Sequence, residues 1–289
     1  MKKYKILYLI TVFVLLSAFS QNYKRPNKMP KDFVFIPMGT YILDSNKISV
    51  QAFYISKTEV TNKQYREFLS DLKAKRDFDA YKIAMPDTNK WQNDLYGKNL
   101  PLVEIYFRHP AYDDYPVVNV SREGAELYCK WLTKKYESLL GNSNTQFRLP
   151  MREEWIWAAK GGLSQTLYPW EGKYLRNSKG CYLCNFRTLN EKHITFNYET
   201  GQYELISEAS KGMADGYDLF TAKVMSYKPN NYGLYDMSGN VAEMVQQKDI
   251  VVGGSWMSAG NDVRIESVAP YKGPEPTVGF RPVISFISN

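Results

Sequence analysis

The hydrophobic pattern of the chain changes from strand-like to helix-like shortly after residue 60. Two short apolar stretches, Phe33 to Pro37 and Ile48 to Ile55, predict strands on either side of a turn at Met38-Gly39. The next apolar residues recur at i, i+3, i+4 and i+7, which is the spacing of one helix face. A T-x-x-Q capping box starts this helix, and the pattern comprises Thr61, Gln64, Tyr65, Phe68, Leu69 and Leu72.

Two further helices are predicted by the same spacing. One begins at its N-cap Ser121 and repeats apolar residues through Leu132, and the other follows Pro150 and ends at Gly161-Gly162. Residues 74–108, between the first two helices, are charged, aromatic and irregular in pattern, so we interpret them as an insertion. The remainder is rich in Gly, Asn, Asp and Tyr and predicts loops with a few short strands.

Residues 1–20 have the pattern of a cleavable secretory signal. A lysine-rich start precedes an apolar run from Ile6 to Leu16, and Ala18 and Ser20 provide an A-x-S-like cleavage site. This run is shorter than the about 20 apolar residues that span a bilayer, which disfavours a transmembrane anchor. No cysteine follows it for lipid attachment. We therefore predict a signal peptide at 1–20, a single mature domain at 21–289, and a periplasmic protein with no direct membrane anchor.

The positive charges of the chain are dispersed. The formal net charge is +7, and three of the lysines lie in the predicted signal. Because no Lys/Arg-rich block is present, the sequence does not indicate binding to nucleic acid or to an anionic membrane.

The three cysteines are an odd number for an exported protein. Cys129 lies in a helical apolar stripe, which predicts a buried and inert thiol. Cys181 and Cys184 form a C-x-x-C, which suits a redox dithiol or half a zinc site. A zinc site needs two more ligands, and a redox motif normally opens a helix, whereas this one lies in a Gly- and Asn-flanked loop. Structural or incidental thiols, with or without a disulfide, are therefore the favoured interpretation.

Four segments carry a family resemblance, and they occur in a fixed order. They read FRLPMREEW from Phe147, GLYDMSGNVAEM from Gly233, GGSW from Gly253 and GFR from Gly279. The chain thereby resembles the formylglycine-generating-enzyme, or sulfatase-modifying-factor, domain from about Phe33 to the C-terminus. This resemblance implies an α+β fold of the C-type-lectin-like kind, a single domain with little regular secondary structure.

The resemblance also implies that the chemistry of the family is missing. A cysteine pair follows the GGS turn in the enzymes and holds copper, whereas Ser258 and Val263 occupy these places here. A serine nucleophile would need a base, and neither His109 nor His193 lies in a triad motif. A hydroxyl is a poor ligand for copper(I), which prefers sulfur. We expect no catalytic residue, no copper and no enzyme activity; a diverged formylglycine-generating oxidase ranks last among the hypotheses.

Calcium is the cofactor that the resemblance does imply, in a structural role. One site would use Asp236 and Glu243 with the carbonyls of Gly239 and Val241, and the second would use Asn185, Phe186, Asp215 and Tyr217. Hard oxygen ligands suit Ca²⁺. Taken alone, Asp236 and Glu243 could instead cap a turn and the start of a helix. We expect Arg281 of the GFR segment to pair with a buried carboxylate or with carbonyls.

A narrower resemblance concerns function. HPAYDDYPVVNVS from His109 and YPWEGKYLRNSKGCYLCNF from Tyr168 look like the gliding-motility and type IX secretion proteins of the GldK/PorK and GldJ kind. This implies a non-enzymatic structural or interaction protein of a bacterial envelope apparatus, which assembles with secretion or gliding proteins that may form rings. A calcium-dependent carbohydrate- or protein-binding module is the alternative. We expect the partner to dock on the loop at His109–Pro116 with Trp91, Tyr96, Tyr106 and Phe107, unless these rings pack into the core.

Overall fold

The computed structural model describes residues 29–92, 101–140, 145–187, 192–197, 200–207 and 220–286. Five helices and twelve strands are placed in these ranges. The helices are α1 (Asn62–Ala74), α2 (Phe78–Ala84), α3 (Leu102–Ile105), α4 (Arg122–Leu140) and α5 (Arg152–Lys160). None of the helices in the described ranges is long and apolar enough to cross a membrane. The predicted signal, residues 1–20, lies outside the described residues.

The three predicted helices are confirmed. Thr61 and Gln64 exchange the two hydrogen bonds of a capping box at the start of α1. The Ser121 hydroxyl accepts from the backbone N–H of Gly124 at 3.0 Å, as an N-cap does. The third helix, α5, stops at Gly161, which adopts φ = 57° as its C-cap.

The strands at the start of the domain are only partly as predicted. β1 (Phe33–Ile36) matches, but the predicted strand at Ile48 to Ile55 is two strands, and Gly39 begins a strand instead of completing a turn. Gly39 is needed there because a Cβ would lie 2.2 Å from Cζ2 of Trp157. The strands that follow β1 are β2 (Gly39–Leu43), β3 (Asn46–Val50) and β4 (Phe53–Ser56).

The remaining strands are β5 (Thr145–Arg148), β6 (Lys192–Asn197), β7 (Gln202–Ser207), β8 (Ala242–Met244), β9 (Ile250–Val252), β10 (Val268–Pro270), β11 (Val278–Gly279) and β12 (Val283–Phe286). One four-stranded sheet has the order β1-β4-β12-β5 and a second has the order β10-β9-β8-β11. Because β12 pairs with both β4 and β5, the last strand joins the two ends of the domain. This pairing brings Arg281 next to the end of β4.

The core has two large parts. One is centred on α1 and α4, where the rings of Tyr65 and Tyr128 stack at 5.6 Å and Phe280 packs edge-on against both. The other surrounds Trp155 of α5, which is 0% exposed. The four-stranded β8–β11 sheet contributes to both parts, since Val251 belongs to the first and Val252 to the second.

The segment interpreted as an irregular insertion is ordered by short helices. It contains α2, a 3₁₀ helix at Thr88–Gln92 and α3. The predicted docking role of Trp91, Tyr106 and Phe107 is wrong, because all three are at most 6% exposed. Their rings fill the core instead, which was the alternative given for them, and Trp91 and Tyr106 pack with Val118, Val241 and Trp256. Tyr96 lies outside the described residues.

Candidate functional site

The site is built on the loop that precedes β8. Asp236, Gly239 and Asn240 have φ values of 56°, 73° and 61°, which is the left-handed region. Gly239 is required by close approach as well, because a Cβ there would lie 2.1 Å from the carbonyl oxygen of Asn185. The backbone N–H of Asn240 donates to that same carbonyl at 2.8 Å. The loop is thus pressed onto Asn185, and such clustered left-handed residues are typical of functional sites.

Glu243 leaves this loop on β8 and enters a buried ion pair with Arg281. Its Oε2 lies 2.7 Å from Nε of Arg281, and its Oε1 lies 2.7 Å from Nη2. The indole N–H of Trp155 donates to Oε2 at 2.8 Å. Arg281 and Glu243 are both 0% exposed, so the predicted pairing of Arg281 with a buried carboxylate is confirmed. The alternative in which Glu243 starts a helix is wrong, since it lies in a strand.

Backbone carbonyls complete the surroundings of Arg281. Nη2 donates to the carbonyl of Tyr235 at 2.9 Å, and Nη1 donates to those of Lys57 and Ser56 at 3.1 and 3.3 Å. Burial alone lowers the pKa of Arg281, but the nearby carboxylates, Glu243 first, outweigh it and raise this pKa. The guanidinium therefore stays charged.

Two more carboxylates lie in the same cluster. Glu59 is 0% exposed; its Oε1 accepts from Nδ2 of Asn240 at 2.9 Å, and its Oε2 has no hydrogen-bond partner. Asp236 accepts from the Met225 backbone N–H at 2.9 Å through Oδ2, while its buried Oδ1 has no partner. Burial and the Asp236 charge raise the pKa of Glu59 well above its usual value, and burial raises that of Asp236 to about 6. Sequence reasoning missed Glu59.

The predicted calcium ligands fit a cation only in part. Asp236 and Asn185 each hold a buried side-chain oxygen without a partner, as a ligand awaiting a cation would. Glu243 does not fit as well, because Arg281 and Trp155 already occupy both its oxygens. Among the described residues no group of three or more His, Cys, Asp and Glu side chains is placed to hold a metal ion. Gly239 and Val241 lie on the loop beside Asp236, Phe186 follows Asn185, and Asp215 and Tyr217 fall outside the described residues.

The opposite face of the β8–β11 sheet borders a cavity of about 620 Å³. Alternation along β8 explains the two faces: Ala242 lines the cavity, and Glu243 points to the buried charges. The floor is apolar, and the rim carries hydroxyls and two carboxylates. Its lining includes Ala242, Val251, Ala269 and Val278 from the strands, with Ser255, Ser258, Asp262, Ser267, Glu275 and Thr277 around them.

Ser258 and Val263, the two positions that replace the cysteine pair, have structural roles. The Ser258 hydroxyl accepts from the backbone N–H of Ser255 at 2.9 Å and closes the turn at 255–258. Val263 is 0% exposed, and its carbonyl accepts from the Ser238 hydroxyl at 2.7 Å. No histidine is among the described residues that line the cavity. His109 is exposed, and its Nδ1 accepts from the Ala111 backbone N–H at 3.1 Å.

The cysteines are free thiols in the described structure. Cys129 is buried as predicted, and burial raises its pKa above the usual value. Cys184 is buried beside Val263 with a raised pKa caused by burial and by the Asp236 charge, whereas Cys181 is exposed. Residues 181–187 form no helix, so the C-x-x-C lacks the helical setting of a redox motif.

Comparisons with known proteins agree with this architecture. Residues 18–286 match the Sulfatase-modifying factor enzyme 1-like domain. The inactive C-alpha-formylglycine-generating enzyme 2 of Mus musculus is 28% identical over 239 residues, which cover 76% of this chain and 64% of that protein. The formylglycine-generating enzyme of Bos taurus is 24% identical over 245 residues, covering 74% of this chain and 57% of that protein. The chain thus spans less than two thirds of the length of either relative.

A solved structure confirms the fold. The crystal structure of CarF has a TM-score of 0.57 at 18% identity, and the match covers 90% of this chain and 100% of that one. The predicted α+β, C-type-lectin-like single domain is therefore correct. With the family match across most of its length, the chain belongs to the Sulfatase-modifying factor enzyme 1-like domain family.

Proposed function

We propose that this protein is a non-catalytic structural or interaction component of a bacterial envelope apparatus for gliding motility or type IX secretion. The single observation that carries the non-catalytic part is the pair Ser258 and Val263. One closes a turn through its hydroxyl, and the other is fully buried, so neither offers the thiolate that copper(I) requires. Relatives named inactive as well as relatives named as enzymes occur at similar identity, so the argument rests on these two residues.

Placement in the envelope rests on sequence. The proposed signal peptide at 1–20 exports the chain to the periplasm, and partners, not an anchor, hold it there. The resemblance of HPAYDDYPVVNVS to secretion and gliding proteins supports partners of that class.

The surface proposed for these partners must differ from the first expectation, since Trp91, Tyr106 and Phe107 are buried. The exposed 3₁₀ turn at Pro110–Tyr112 remains, and it stands next to three half-buried rings. Tyr112, Tyr115 and Phe220 pack on one another with centroids 5.0 to 6.2 Å apart. Half-buried tyrosines of this kind commonly anchor protein interfaces.

Affinity capture from envelope fractions tests the proposal. Immobilised mature protein should recover gliding or type IX secretion components, identified by mass spectrometry. Ala111→Arg should reduce this recovery without lowering the melting temperature, because it adds bulk and charge at an exposed position. Glu171→Arg, at an exposed position of another loop, is the matched control. Equal recovery with Ala111→Arg would remove the surface, and recovery of no envelope component would contradict the proposal.

Calcium is proposed as a structural cofactor of this function. The unpartnered oxygens of Asp236 and Asn185 support it, and Ca²⁺ would fix the irregular loops that carry them. A ligand that binds only the folded state stabilises it by about 2.7 kcal/mol at one hundred times its Kd. A chelator should therefore lower the melting temperature of the purified protein, and identical melting with CaCl₂ and chelator would contradict a calcium cofactor.

A calcium-dependent carbohydrate- or protein-binding module is the second candidate, and the cavity favours it. Its volume of about 620 Å³ lies within the range of small-ligand sites, about 300–1,000 Å³. Glycan and peptide arrays probed with wild type and with Glu275→Lys test this function. The variant introduces a long cation on the rim and should abolish any specific signal, whereas Glu171→Lys should leave it unchanged. Absence of a signal for wild type would contradict the module.

A further inference from the structure

The buried cluster around Arg281 carries more negative than positive charge. Glu59 and Glu243 are 0% exposed and Asp236 is 7% exposed, while Arg281 supplies the one guanidinium that pairs with them. Three carboxylates facing one guanidinium leave two negative charges without a counterion among the described residues. Buried charges are costly unless they are paired, so this excess needs a physical explanation.

The partners of Arg281 are unequally shared. Glu243 receives three of its N–H···O contacts, at 2.7 to 2.9 Å. Glu59 Oε2 is 3.9 Å from Nη2, too far for a hydrogen bond. Arg281 thus neutralises Glu243, and the remaining negative charge resides on Glu59 and Asp236.

The orientation of Glu59 is fixed by Asn240. The amide oxygen of Asn240 accepts from the Ala222 backbone N–H at 2.7 Å, so its Nδ2 faces Glu59 and donates at 2.9 Å. This neutral contact leaves Oε2 of Glu59 without a hydrogen-bond partner, and Oδ1 of Asp236 is in the same state. Two buried carboxylate oxygens, each held from its other side and each without a donor, are the arrangement that a cation satisfies.

We propose that Glu59, and not Glu243, is the carboxylate that shares a divalent cation with Asp236. A cation of charge +2 balances the two excess charges, and Ca²⁺ accepts carboxylates together with carbonyls and water. This inference rests on the calcium cofactor proposed above and changes its ligand set. Glu243 instead positions Arg281, which ties the carbonyls of Ser56, Lys57 and Tyr235 to the site.

Protonation is the competing explanation for the unpartnered oxygens. Burial and mutual repulsion raise the pKa values of both carboxyls, so protons could remove the excess charge without any cation. The two explanations differ in what Ca²⁺ does. A cation site predicts stabilisation by CaCl₂ that depends on Glu59, whereas two neutral carboxyls predict none.

Thermal unfolding of the mature protein at pH 7.5, in CaCl₂ and in EGTA, tests the inference. Wild type should melt about 5–10 °C higher at a CaCl₂ concentration of one hundred times Kd. Glu59→Gln keeps the shape and removes one charge, so it should raise the melting temperature in EGTA and lose most of the CaCl₂ increment. Glu154→Gln, from the separate ion pair with Arg148, is the matched control and should retain the full increment.

Isothermal titration with CaCl₂ separates the two carboxylates directly. Glu59→Gln should bind one Ca²⁺ fewer than wild type, and Glu243→Gln should bind the same number although it melts lower in both solutions. If Glu59→Gln does not fold, the Glu243→Gln titration still decides. Loss of one Ca²⁺ in Glu243→Gln, or an unchanged number in Glu59→Gln, overturns the assignment and leaves the calcium cofactor standing. No Ca²⁺ bound by wild type overturns both.

Discussion

The two faces of the β8–β11 sheet differ in how completely their polar groups are paired. On one face Glu243 and Arg281 are fully buried and fix each other with contacts of 2.7 to 2.9 Å. On the other face Ala242 and Ser258 border an open cavity, and the hydroxyl of Ser258 does no more than close a local turn. Adjacent residues of one strand, Ala242 and Glu243, thus serve regions of opposite character.

This difference separates what the fold needs from what the family chemistry needs. The ion pair joins the end of β4, the loop at Tyr235 and the start of β12, so the architecture depends on it. The thiol positions bordering the cavity carry no such connection: a serine and a valine occupy them without disturbing either sheet. A chain can therefore keep the framework of this family after the copper ligands are replaced.

The largest effect that the comparison predicts is on Arg281. Arg281→Ala leaves Glu59, Asp236 and Glu243 buried without a guanidinium, and the free energy of unfolding should fall by about 3–5 kcal/mol. Urea unfolding followed by circular dichroism measures this change. Arg108→Ala, at an exposed position, should stay within about 0.5 kcal/mol of wild type. A loss below about 1 kcal/mol for Arg281→Ala would show that the two faces are not energetically different.

A smaller effect is expected at Trp155, whose indole N–H donates to a charged oxygen of Glu243. Trp155→Phe removes this bond and should cost about 1.5–3 kcal/mol, because hydrogen bonds to charged groups are the stronger ones. Trp157→Phe is a matched control two residues along α5, since its indole donates to the neutral carbonyl of Pro37. It should cost about 0.5–1.5 kcal/mol. Equal losses would mean that the charge on Glu243 adds nothing.

Sequence patterns predicted the local parts of the fold well. The capping box at Thr61 and the stop at Gly161 depend only on neighbouring residues, so both could be found from spacing. The strands near Ile48 were predicted less well, because the pattern does not show that the chain turns between Val50 and Phe53. Arg281 was assigned correctly, since a buried arginine needs acceptors.

Long-range burial explains what could not be predicted. Glu59 stands next to the start of a helix, where an acidic residue is usually solvated. Its burial results from contact with Asn240, far along the chain, and no local signal reveals that contact. The rings of Trp91 and Tyr106 pose the same difficulty, because aromatic composition alone is equally consistent with an interface and with a core.

On the cavity side the expected effects are small. Ser258→Ala removes the acceptor for the Ser255 backbone N–H, and unfolding free energy should fall by about 0.5–1.5 kcal/mol at most. The Ala→Ser change at Ala259, the next residue, provides a comparison in which no such contact is removed. A loss above about 3 kcal/mol in Ser258→Ala would place this hydroxyl in the structural framework and remove the contrast between the two faces.

The smallest expected effect is none at all: wild type should not oxidise the cysteine of a C-x-P-x-R peptide in the presence of copper and oxygen. Two thiolates are needed to hold copper(I), and the chain offers a hydroxyl at Ser258 and a buried methyl pair at Val263. Mass spectrometry of the peptide and competition for Cu(I) with a coloured chelator measure both properties, with a formylglycine-generating enzyme as positive control. Cys184 is the nearby thiol that could replace the missing ligands, but it is buried with a raised pKa. Formylglycine in the peptide, or one Cu(I) held per chain and lost in Cys184→Ala, would show that the cavity face retains chemistry.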